Sequence, residues 1–317
     1  MRTGLIALSL FILVLAGGLV VASLYFYSVA IKRSTKDFLK GNEDLQPPVG
    51  RQVVDTTEPS GREWLEAQTL ETWQVQSQDG LRLVAYYLPA ASPTSKTVIL
   101  AHGYTSQARD MGSFARFYRN DLGYNVLMPD ARGHGRSEGD YIGFGWPERK
   151  DYLLWIAMII DKLGEDVQIA LHGISMGGAT VMMVSGEDLP NQVKVICEDC
   201  GYTSAFEELA YQLKRMYRLP AFPILPATSV VTRLKAGYSL YEASALKQLA
   251  KNRLPILFIH GEEDRFVPAE MVWQLYEACQ SEKEIYIVKG AGHGNAYGTN
   301  KKAYVQTVGD FLGRFIL

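Results

Sequence analysis

The stretch of sequence that decides the fold is Leu171-His172-Gly173-Ile174-Ser175-Met176-Gly177-Gly178. A short apolar run, residues 167–171, precedes it, and a helix-like run rich in Ala, Val and Met follows it. The pattern G-x-S-x-G between a strand and a helix is typical of a sharp turn that exposes a nucleophilic serine. Glycines are needed in this turn because side chains at those positions would collide across it. The sequence therefore predicts Ser175 as a nucleophile at the N-terminus of a helix.

Strand and helix patterns alternate on both sides of this turn. Residues 71–77 and 81–88, joined by Gln78-Asp79-Gly80, predict a β-hairpin. Near-continuous apolar strands separated by helices are typical of a parallel sheet that is covered on both faces. The further strands are predicted at 97–101, 125–129, 167–171, 193–197, 255–260 and 284–288, and the helices at 111–122, 147–163, 176–185, 268–279 and 301–315.

A serine hydroxyl needs a general base, which is itself oriented by an acid. With a serine in such a turn, the chain order is serine, then acid, then histidine. One loop after a predicted strand contains Asp264, and the loop after the next strand is Gly290-Ala291-Gly292-His293-Gly294. Both lie at carboxyl ends of strands, where parallel sheets place their active sites. We therefore assign Asp264 as the acid and His293 as the base.

Other acids lie in similar positions. Asp199 follows the strand at 193–197 and would serve in a variant layout, and Glu262 and Glu263 are close to Asp264 in the chain. Asp264 is favoured because the apolar Phe-Val-Pro run that begins two residues later would anchor its loop.

The other four histidines have structural interpretations. His172 and His260 lie at strand ends, His134 lies in a glycine-rich loop, and His102 is expected to brace its own loop by hydrogen bonds. Only His293 follows the acid in a loop flanked by glycines.

The negative charge that develops on a reacting carbonyl oxygen requires two backbone N–H donors. One is expected from Met176, the residue after the nucleophile, and one from the loop after the third strand. In that loop, Gly103 would allow the N–H of Tyr104 to point at the substrate.

Several other classes of site are not indicated. The loop at 130–139 is rich in Gly and charge, but it lacks the phosphate-loop pattern and is interpreted as a structural turn beside the site. No dinucleotide fingerprint and no H-E-x-x-H is present, so no cofactor or metal is implied. A net charge of −2 gives no basic surface for nucleic acid. Three cysteines do not make a disulfide framework, and the C-x-x-C at Cys197 and Cys200 ends a predicted strand rather than starting a helix.

The N-terminus is expected to lie apart from the fold. Residues 3–31 contain no charged side chain, and about 20 apolar residues suffice to cross a bilayer. We interpret residues 1–31 as a transmembrane anchor, although Ser28-Val29-Ala30 also resembles a signal-peptide cleavage site. Residues 32–63 are interpreted as a polar tether, with a capping box at 60–63 that predicts a short helix. The folded domain is expected at 64–317.

The side of the membrane is left open by opposing signals. Lys32, Arg33, Lys36 and Lys40 outweigh Arg2, and by the positive-inside rule they place the catalytic part in the cytoplasm. The resemblance described below implies an outward orientation instead.

One interval breaks the alternation of strands and helices. Residues 203–254 carry two extra predicted helices with three prolines between them, and long insertions of this kind are usually functional. Their side chains are largely apolar and aromatic. We expect a cap over the site, whose apolar residues also pack it onto the sheet.

Together these segments resemble the α/β-hydrolase superfamily from about Trp64 to the C-terminus. The resemblance is carried by His-Gly-Tyr at 102–104, by the loop at 130–137, by His-Gly-Ile-Ser-Met-Gly-Gly at 172–178, and by the loops of Asp264 and His293. With its anchor, the chain is similar to membrane-anchored bacterial hydrolases, and more distantly to monoacylglycerol lipases, feruloyl esterases and serine aminopeptidase-like proteins. The resemblance implies an eight-stranded, mostly parallel sheet with helices on both faces and a helical cap. It also implies the roles given above for Ser175, Asp264, His293, Tyr104 and Met176.

The expected activity is hydrolysis of a carboxylic ester of an acyl or lipid-like substrate through an acyl-enzyme. The same residues would serve a peptidase, an amidase, a thioesterase or an acyltransferase, and fold alone does not choose among them. A non-catalytic receptor on this fold is the alternative from another class. Such proteins usually lack one of the three catalytic residues, whereas this chain retains all three.

Overall fold

The centre of the protein is an eight-stranded sheet with the strand order β1-β2-β4-β3-β5-β6-β7-β8. The computed structural model describes residues 2–45 and 59–317. Strand β2 pairs antiparallel with β1 and β4, and all other neighbours are parallel. The strands are β1 (Glu71–Gln76), β2 (Arg82–Leu88), β3 (Lys96–Ala101), β4 (Asn125–Pro129), β5 (Gln168–Ile174), β6 (Val193–Asp199), β7 (Ile256–Gly261) and β8 (Lys283–Val288).

Helices cover both faces of this sheet, as the sequence predicts. Successive residues of β3 alternate between two buried apolar clusters, because side chains of a strand point to opposite faces: Val98 and Leu100 belong to one, and Ile99 and Ala101 to the other. The helices are α1 (Arg2–Phe26), α2 (Gly61–Glu66), α3 (Gly112–Arg116), α4 (Glu148–Leu163), α5 (Met176–Val184), α6 (Ala205–Tyr217), α7 (Ile224–Ala236), α8 (Ala245–Leu249), α9 (Glu270–Ala278), α10 (Ala296–Thr299) and α11 (Lys301–Leu312).

All eight predicted strands are present within two or three residues of the expected bounds. The predicted helix at 111–122 differs, since α3 ends at Arg116 and a wider π-helical turn continues it over Phe117–Asp121. The capping box is present, with Ser60 accepting from the N–H of Glu63 and the Glu63 side chain accepting from the N–H of Ser60. The insertion at 203–254 contains three helices, α6, α7 and the short α8, where two were expected.

The folded domain is predicted to begin at residue 64, but residues before it also pack on the sheet and its loops. Helix α1 continues as a π-helical turn, Tyr27–Ile31, and Ile31 is fully buried in the larger apolar cluster. The N–H of Ile142 donates to the carbonyl of Ile31 (2.8 Å), so the end of α1 is bonded to the loop before α4. Hydropathy could not indicate this, because an apolar residue that faces lipid and one that packs on a distant loop look alike. Residues 46–58 of the predicted tether lie outside the described residues.

Candidate active site

The turn between β5 and α5 holds Ser175 in a left-handed conformation, with φ 57° and ψ −117°. Its neighbouring glycines are required by close backbone approach. A Cβ atom at Gly173 would lie 2.1 Å from the carbonyl oxygen of Gly177, and one at Gly177 would lie 2.0 Å from that of Ala101. The turn thus brings the serine hydroxyl to the carboxyl edge of the sheet and α5 against the end of β3.

The structure brings the three predicted side chains together from three separate loops. The Nε2 atom of His293 lies 2.9 Å from Oγ of Ser175, and its Nδ1 atom lies 2.8 Å from Oδ2 of Asp264. The other carboxylate oxygen, Oδ1, accepts from the N–H groups of Phe266 and Val267, both at 2.9 Å. These bonds anchor the acid through the Phe-Val-Pro run, as the sequence suggested.

The environment of Asp264 keeps its carboxylate ionised although it is buried. Burial by itself would raise the pKa of Asp264, but the charge and hydrogen bonds of His293 and His260 outweigh it and hold this pKa below its usual range. The Nε2 atom of His260 lies 3.3 Å from Oδ2 and also contacts the carbonyl of Val267 at 3.0 Å. His260 therefore helps to hold the Asp264 carboxylate in place, which agrees with its structural interpretation.

The alternative acids have other partners. Oδ2 of Asp199 accepts from the hydroxyl of Tyr304 (2.8 Å), and its backbone carbonyl accepts from the N–H of Ser175 (2.7 Å). Burial raises the pKa of Asp199 to about 6. Glu262 accepts from the N–H of Gly290 (3.2 Å) and so braces the loop that carries His293. Of these carboxylates, Asp264 is the one hydrogen-bonded to His293.

Two backbone donors lie beside the serine. Met176 is the first residue of α5, and the loop of Gly103 and Tyr104 runs so close that a Cβ at Gly103 would lie 3.4 Å from Cβ of Ser175. Within the described residues, neither the N–H of Tyr104 nor that of Met176 donates a hydrogen bond to the protein. Both are thus available to a ligand oxygen, and the positive end of α5 favours negative charge there.

The neighbouring loops are held by hydrogen bonds of the predicted structural kind. Nδ1 of His102 contacts the carbonyl of Gly103 (2.8 Å), and its Nε2 accepts from the N–H of Ala131 (3.0 Å). Asp130 accepts from the N–H groups of Ala108 and Arg136, both at 2.8 Å. The loop at 130–139 is therefore a rigid turn beside the site.

Cys200 lies close to Asp264 and His293, and their potential ligand atoms fall within 4.8 Å of one another. A thiol must lose its proton to bind a metal ion. Burial raises the pKa of Cys200 well above its usual value, which opposes that loss. The hydrogen bond between Asp264 and His293 explains the arrangement of those two side chains without a metal.

An apolar cavity opens above Ser175. Its walls come from segments far apart in the sequence. They are Phe26, Val29, Ala30 and Ile31 at the end of α1, Phe38 and Leu39 after it, Tyr104 and Phe144 near the sheet, Tyr202, Glu208, Leu209, Gln212, Leu213, Met216 and Tyr217 on and before α6, Leu225 and Thr228 on α7, and Phe266 and Val267 beside Asp264.

Sequence reasoning did not foresee the N-terminal part of this wall, nor the buried carboxyl of Glu208. A signal for the first was present, since the apolar segment Arg2–Ile31 has 30 residues and a membrane span needs about 20. The excess length marks the residues that pack on the protein. No comparable signal exists for Glu208, because charged residues on an amphipathic helix usually face water.

Comparisons with known proteins agree with this fold. The model of the family described as "Serine aminopeptidase, S33" matches residues 92–197 and 224–297, which is more than half of the chain. The interval it leaves out, 198–223, contains α6. A protein of Bacillus subtilis described as uncharacterized, YqkD, is 32% identical over 238 residues, covering 75% of this chain and 77% of its own length. Another, Rv2307c of Mycobacterium tuberculosis, is 24% identical over 75% of this chain and 77% of its own.

Solved structures show the same fold. The esterase Pf2001 of Pyrococcus furiosus superposes with a TM-score of 0.65 at 24% identity, covering 86% of this chain and all of that one. An acylaminoacyl peptidase of Pyrococcus horikoshii superposes with a TM-score of 0.60 at 18% identity, covering 82% of this chain and 44% of that one. Both an esterase and a peptidase thus share this architecture, which leaves the reaction to be argued from the site.

Proposed function

The chain belongs to the serine aminopeptidase S33 family of α/β hydrolases, and from this premise we propose that it is a serine hydrolase that cleaves carboxylic esters of acyl or lipid-like substrates. The observation that supports the proposal most is the series of two short hydrogen bonds from Asp264 through His293 to Ser175, at the base of an apolar cavity. A hydrogen-bonded nucleophile, base and acid are the parts that acyl transfer requires.

In the proposed mechanism, Oγ of Ser175 attacks the ester carbonyl while Nε2 of His293 accepts the hydroxyl proton. The N–H groups of Tyr104 and Met176 stabilise the negative oxygen of the tetrahedral intermediate. The C–O bond to the alcohol then breaks, and His293 returns the proton to the leaving alcohol. Water hydrolyses the acyl-serine by the same steps, with His293 first as base and then as acid. The ionised Asp264 holds the imidazole in the tautomer that this requires and stabilises its charged form.

An acyl substrate is favoured by the composition of the cavity. Most of its lining side chains are aliphatic or aromatic, and such a wall binds an acyl chain by removing both surfaces from water. We propose that α6 and α7, which lie in the insertion at 203–254, act as the cap over this chain.

A peptidase is the second candidate, and Glu208 is the observation that bears on it. Glu208 is one of the lining residues, its Oε1 atom accepts from Gln212 (2.8 Å), and its buried Oε2 atom has no hydrogen-bond partner within the described residues. A carboxylate there would attract the ammonium of a peptide N-terminus. Burial raises the pKa of Glu208 to about 8, however, so the carboxyl of the free protein is mainly neutral at pH 7. A neutral carboxyl suits a hydroxyl group of the substrate better than an ammonium.

We also propose that α1 is an uncleaved membrane anchor. A window of 18 residues within Arg2–Ile31 has a mean hydropathy of 2.8, and most of the large apolar side chains of this segment are exposed. Cleavage after Ala30 would remove Phe26 and Val29 from the cavity wall, which a protein that uses this cavity would not tolerate. The basic residues that suggested an orientation also have structural bonds: the Arg33 guanidinium donates to the carbonyls of Gly135 (2.9 Å) and Ser137 (2.8 Å). They therefore carry less weight as topology signals.

The test is hydrolysis of p-nitrophenyl esters of increasing chain length by the full-length protein in detergent, compared with aminoacyl p-nitroanilides. We expect ester turnover, and at least a roughly 10⁴-fold lower kcat in Ser175→Ala. Faster cleavage of the anilides than of any ester would favour the peptidase. Activity that survives in Ser175→Ala would refute the proposed nucleophile, and unchanged thermal unfolding of the variant would exclude misfolding as the cause of a loss.

A further inference from the structure

The end of the N-terminal helix forms part of the wall of the cavity above Ser175. Val29 and Ala30 line this cavity from one side, and Leu213 and Met216 of α6 line it from the other. A substrate chain that occupies the cavity would therefore touch the same helix that we propose crosses the membrane.

This end of the helix is fixed to the catalytic loops by specific bonds. The hydroxyl of Tyr104 donates to the carbonyl of Ala30 (2.7 Å), and it belongs to the residue whose N–H is proposed to hold the oxyanion. The ammonium of Lys36, which is 6% exposed, donates to the carbonyls of Val29 and Lys32, both at 2.7 Å. The bonds to Val29 and Ala30 satisfy carbonyls that the end of a helix leaves unpaired. The helix end is thus a built part of the site.

The helix also packs against the proposed cap. The ring of Phe26 meets that of Tyr217 edge to face, with centroids 5.2 Å apart and planes at 90°. Phe26, Leu213 and Leu225 form a separate buried apolar cluster between α1, α6 and α7. These three helices therefore meet at the wall of the cavity.

The same region carries exposed apolar side chains next to the anchor. Phe222, in the loop between α6 and α7, is 77% exposed, and Val230 and Leu234, one turn apart on α7, are 60% and 81% exposed. Helix α7 packs on α1, so this surface is continuous with the membrane-spanning helix. Such a patch on a soluble surface would be unfavourable, whereas it is satisfied in the bilayer interface. Lys235 and Arg233, the latter also 3.4 Å from Glu242, follow in the same helix as cations that suit anionic headgroups.

The length of the N-terminal helix places the cavity at the depth of the lipid headgroups. The segment Arg2–Ile31 is about 45 Å long at 1.5 Å per residue, and the hydrocarbon core of a bilayer is about 30 Å thick. A span that starts near Arg2 therefore leaves its last two or three turns in the headgroup region. Tyr25, which is exposed, lies where interfacial aromatic residues are found.

We infer that the cavity draws the acyl chain of its substrate directly from the adjacent leaflet, so that the substrate is a long-chain acyl ester resident in the membrane and the end of α1 is part of its binding site. This inference rests on the proposed function, of which it specifies the substrate class. The ester group of such a lipid lies at headgroup level, the depth to which the length of α1 brings Ser175.

The test uses fluorophosphonates with a short or a hexadecyl chain, on full-length protein in phospholipid vesicles. Oγ of Ser175 forms a bond to phosphorus, the P–F bond breaks, fluoride leaves, and His293 takes the hydroxyl proton, so labelling needs no knowledge of the natural leaving group. Val29→Trp fills the cavity from α1. We expect it to lower the ratio of long-chain to short-chain labelling rates at least tenfold. Leu213→Trp fills the cavity from α6 and should lower the same ratio. It provides the test if Val29→Trp folds poorly.

Val21→Trp is the matched control, because it makes the same change on the same helix at an exposed position outside the cavity. It should leave the ratio within twofold of the wild type. A ratio that is unchanged in both Val29→Trp and Leu213→Trp would overturn the inference while the proposed nucleophile stands. If Ser175 reacts with neither probe, the proposed function fails, and the inference fails with it.

The bilayer as the source of the chain is tested by surface dilution. At constant total probe, added phospholipid lowers the mole fraction of the hexadecyl probe among the membrane lipids, and we expect the labelling rate to fall in proportion. The rate with the soluble short-chain probe should not change. A long-chain rate that is insensitive to added phospholipid would overturn the membrane route.

Discussion

The loops around Ser175 and the wall of the cavity above it are built in opposite ways. The loops hold three side chains by hydrogen bonds of 2.8–2.9 Å, and each loop follows its own strand of the sheet. The wall is lined mainly by aliphatic and aromatic side chains, and much of it comes from the end of α1 and from α6 and α7, which are distant in the chain. The function of the loops depends on the direction and length of hydrogen bonds, whereas binding at the wall depends on the apolar area that is buried.

This difference means that the loops would determine the reaction, whereas the wall would determine which substrate binds. Proton transfer requires donors and acceptors at hydrogen-bond distance, so one atom out of place removes the reaction. Apolar contacts are non-directional, so such a wall can vary in sequence and still bind the proposed acyl chain. The family model includes α7 of this wall and leaves out the interval that contains α6. Substitutions in the loops should have large effects on rate, and those in the wall should have smaller effects that depend on chain length.

Among the residues that support Ser175, the largest effect is expected from Asp264→Asn. An amide oxygen can still accept from the N–H groups of Phe266 and Val267, which turns the NH₂ group toward Nδ1 of His293. That nitrogen then becomes the acceptor, Nε2 carries the proton, and the base can no longer accept from Ser175. We expect kcat to fall roughly 10³- to 10⁴-fold. Steady-state ester hydrolysis measures it.

Asp199→Asn is the control for this substitution, since it is also a buried acid beside the turn. Its amide oxygen can keep the bond from Tyr304, so a less than tenfold change in kcat is expected. A larger loss in Asp199→Asn than in Asp264→Asn would mean that the acid is assigned to the wrong loop.

The close packing of the loops is tested by Gly177→Ala. The new Cβ would lie 2.0 Å from the carbonyl oxygen of Ala101 and 2.9 Å from that of His102, so the loop that carries Tyr104 must shift. We expect a loss of at least about 1–3 kcal/mol of stability and a roughly 10²-fold lower kcat from the displaced oxyanion donor. Thermal unfolding and ester hydrolysis together measure both effects.

Gly103→Ala provides the comparison, because its nearest neighbour would be Cβ of Ser175 at 3.4 Å, an ordinary contact. Its melting temperature should stay close to that of the wild type. Equal melting temperatures for the two variants would contradict the view that the turn depends on close backbone approach.

The junction between the two regions is tested by Tyr104→Phe, which removes the hydrogen bond to the carbonyl of Ala30 and keeps the ring. A bond of this kind contributes about 1 kcal/mol. We expect kcat/KM to fall roughly fivefold for long-chain esters and less for short ones, since the end of α1 contacts only the long chains. An equal loss at all chain lengths would show that this bond positions the oxyanion loop and not the wall.

The smallest effect is expected from Glu208→Gln, the polar position in the wall. Burial raises the folded-state pKa of Glu208 to about 8, above its unfolded value near 4.5. The stability contributed by its neutral form is therefore fully present below about pH 4.5 and is lost as the pH rises through about 8. Glutamine has no charge to bury. The variant should match the wild type at pH 4.5 and melt roughly a few degrees higher at pH 8.5.

Differential scanning fluorimetry of both proteins across this pH range measures the effect. Buried Glu148 and Glu198, whose pKa values burial raises to about 7 and about 8, are present in both and cancel in the difference. A difference that does not change with pH would mean that Glu208 is ionised in the folded protein.

The sequence was sufficient for the strands, because each is a run of apolar or alternating residues whose period reports burial locally. It was also sufficient to nominate Ser175, Asp264 and His293, since a nucleophilic turn and loops at strand ends restrict the candidates to a few positions. It could not show that Asp264, and not Asp199, is hydrogen-bonded to the imidazole. Both acids follow strands, and their separation from His293 is a distance in space rather than in sequence.

The apolar segment at the N-terminus shows what the sequence by itself could not determine. Composition determined that residues 3–31 form a helix able to span a bilayer, and motif and periodicity determined the sheet and the nucleophilic turn. Only the tertiary structure decided that the last turns of this helix close a cavity above Ser175, together with a helix nearly two hundred residues away. The physical reason is that apolar attraction has no direction, so Val29 has the same local pattern whether it faces lipid, the core or a substrate.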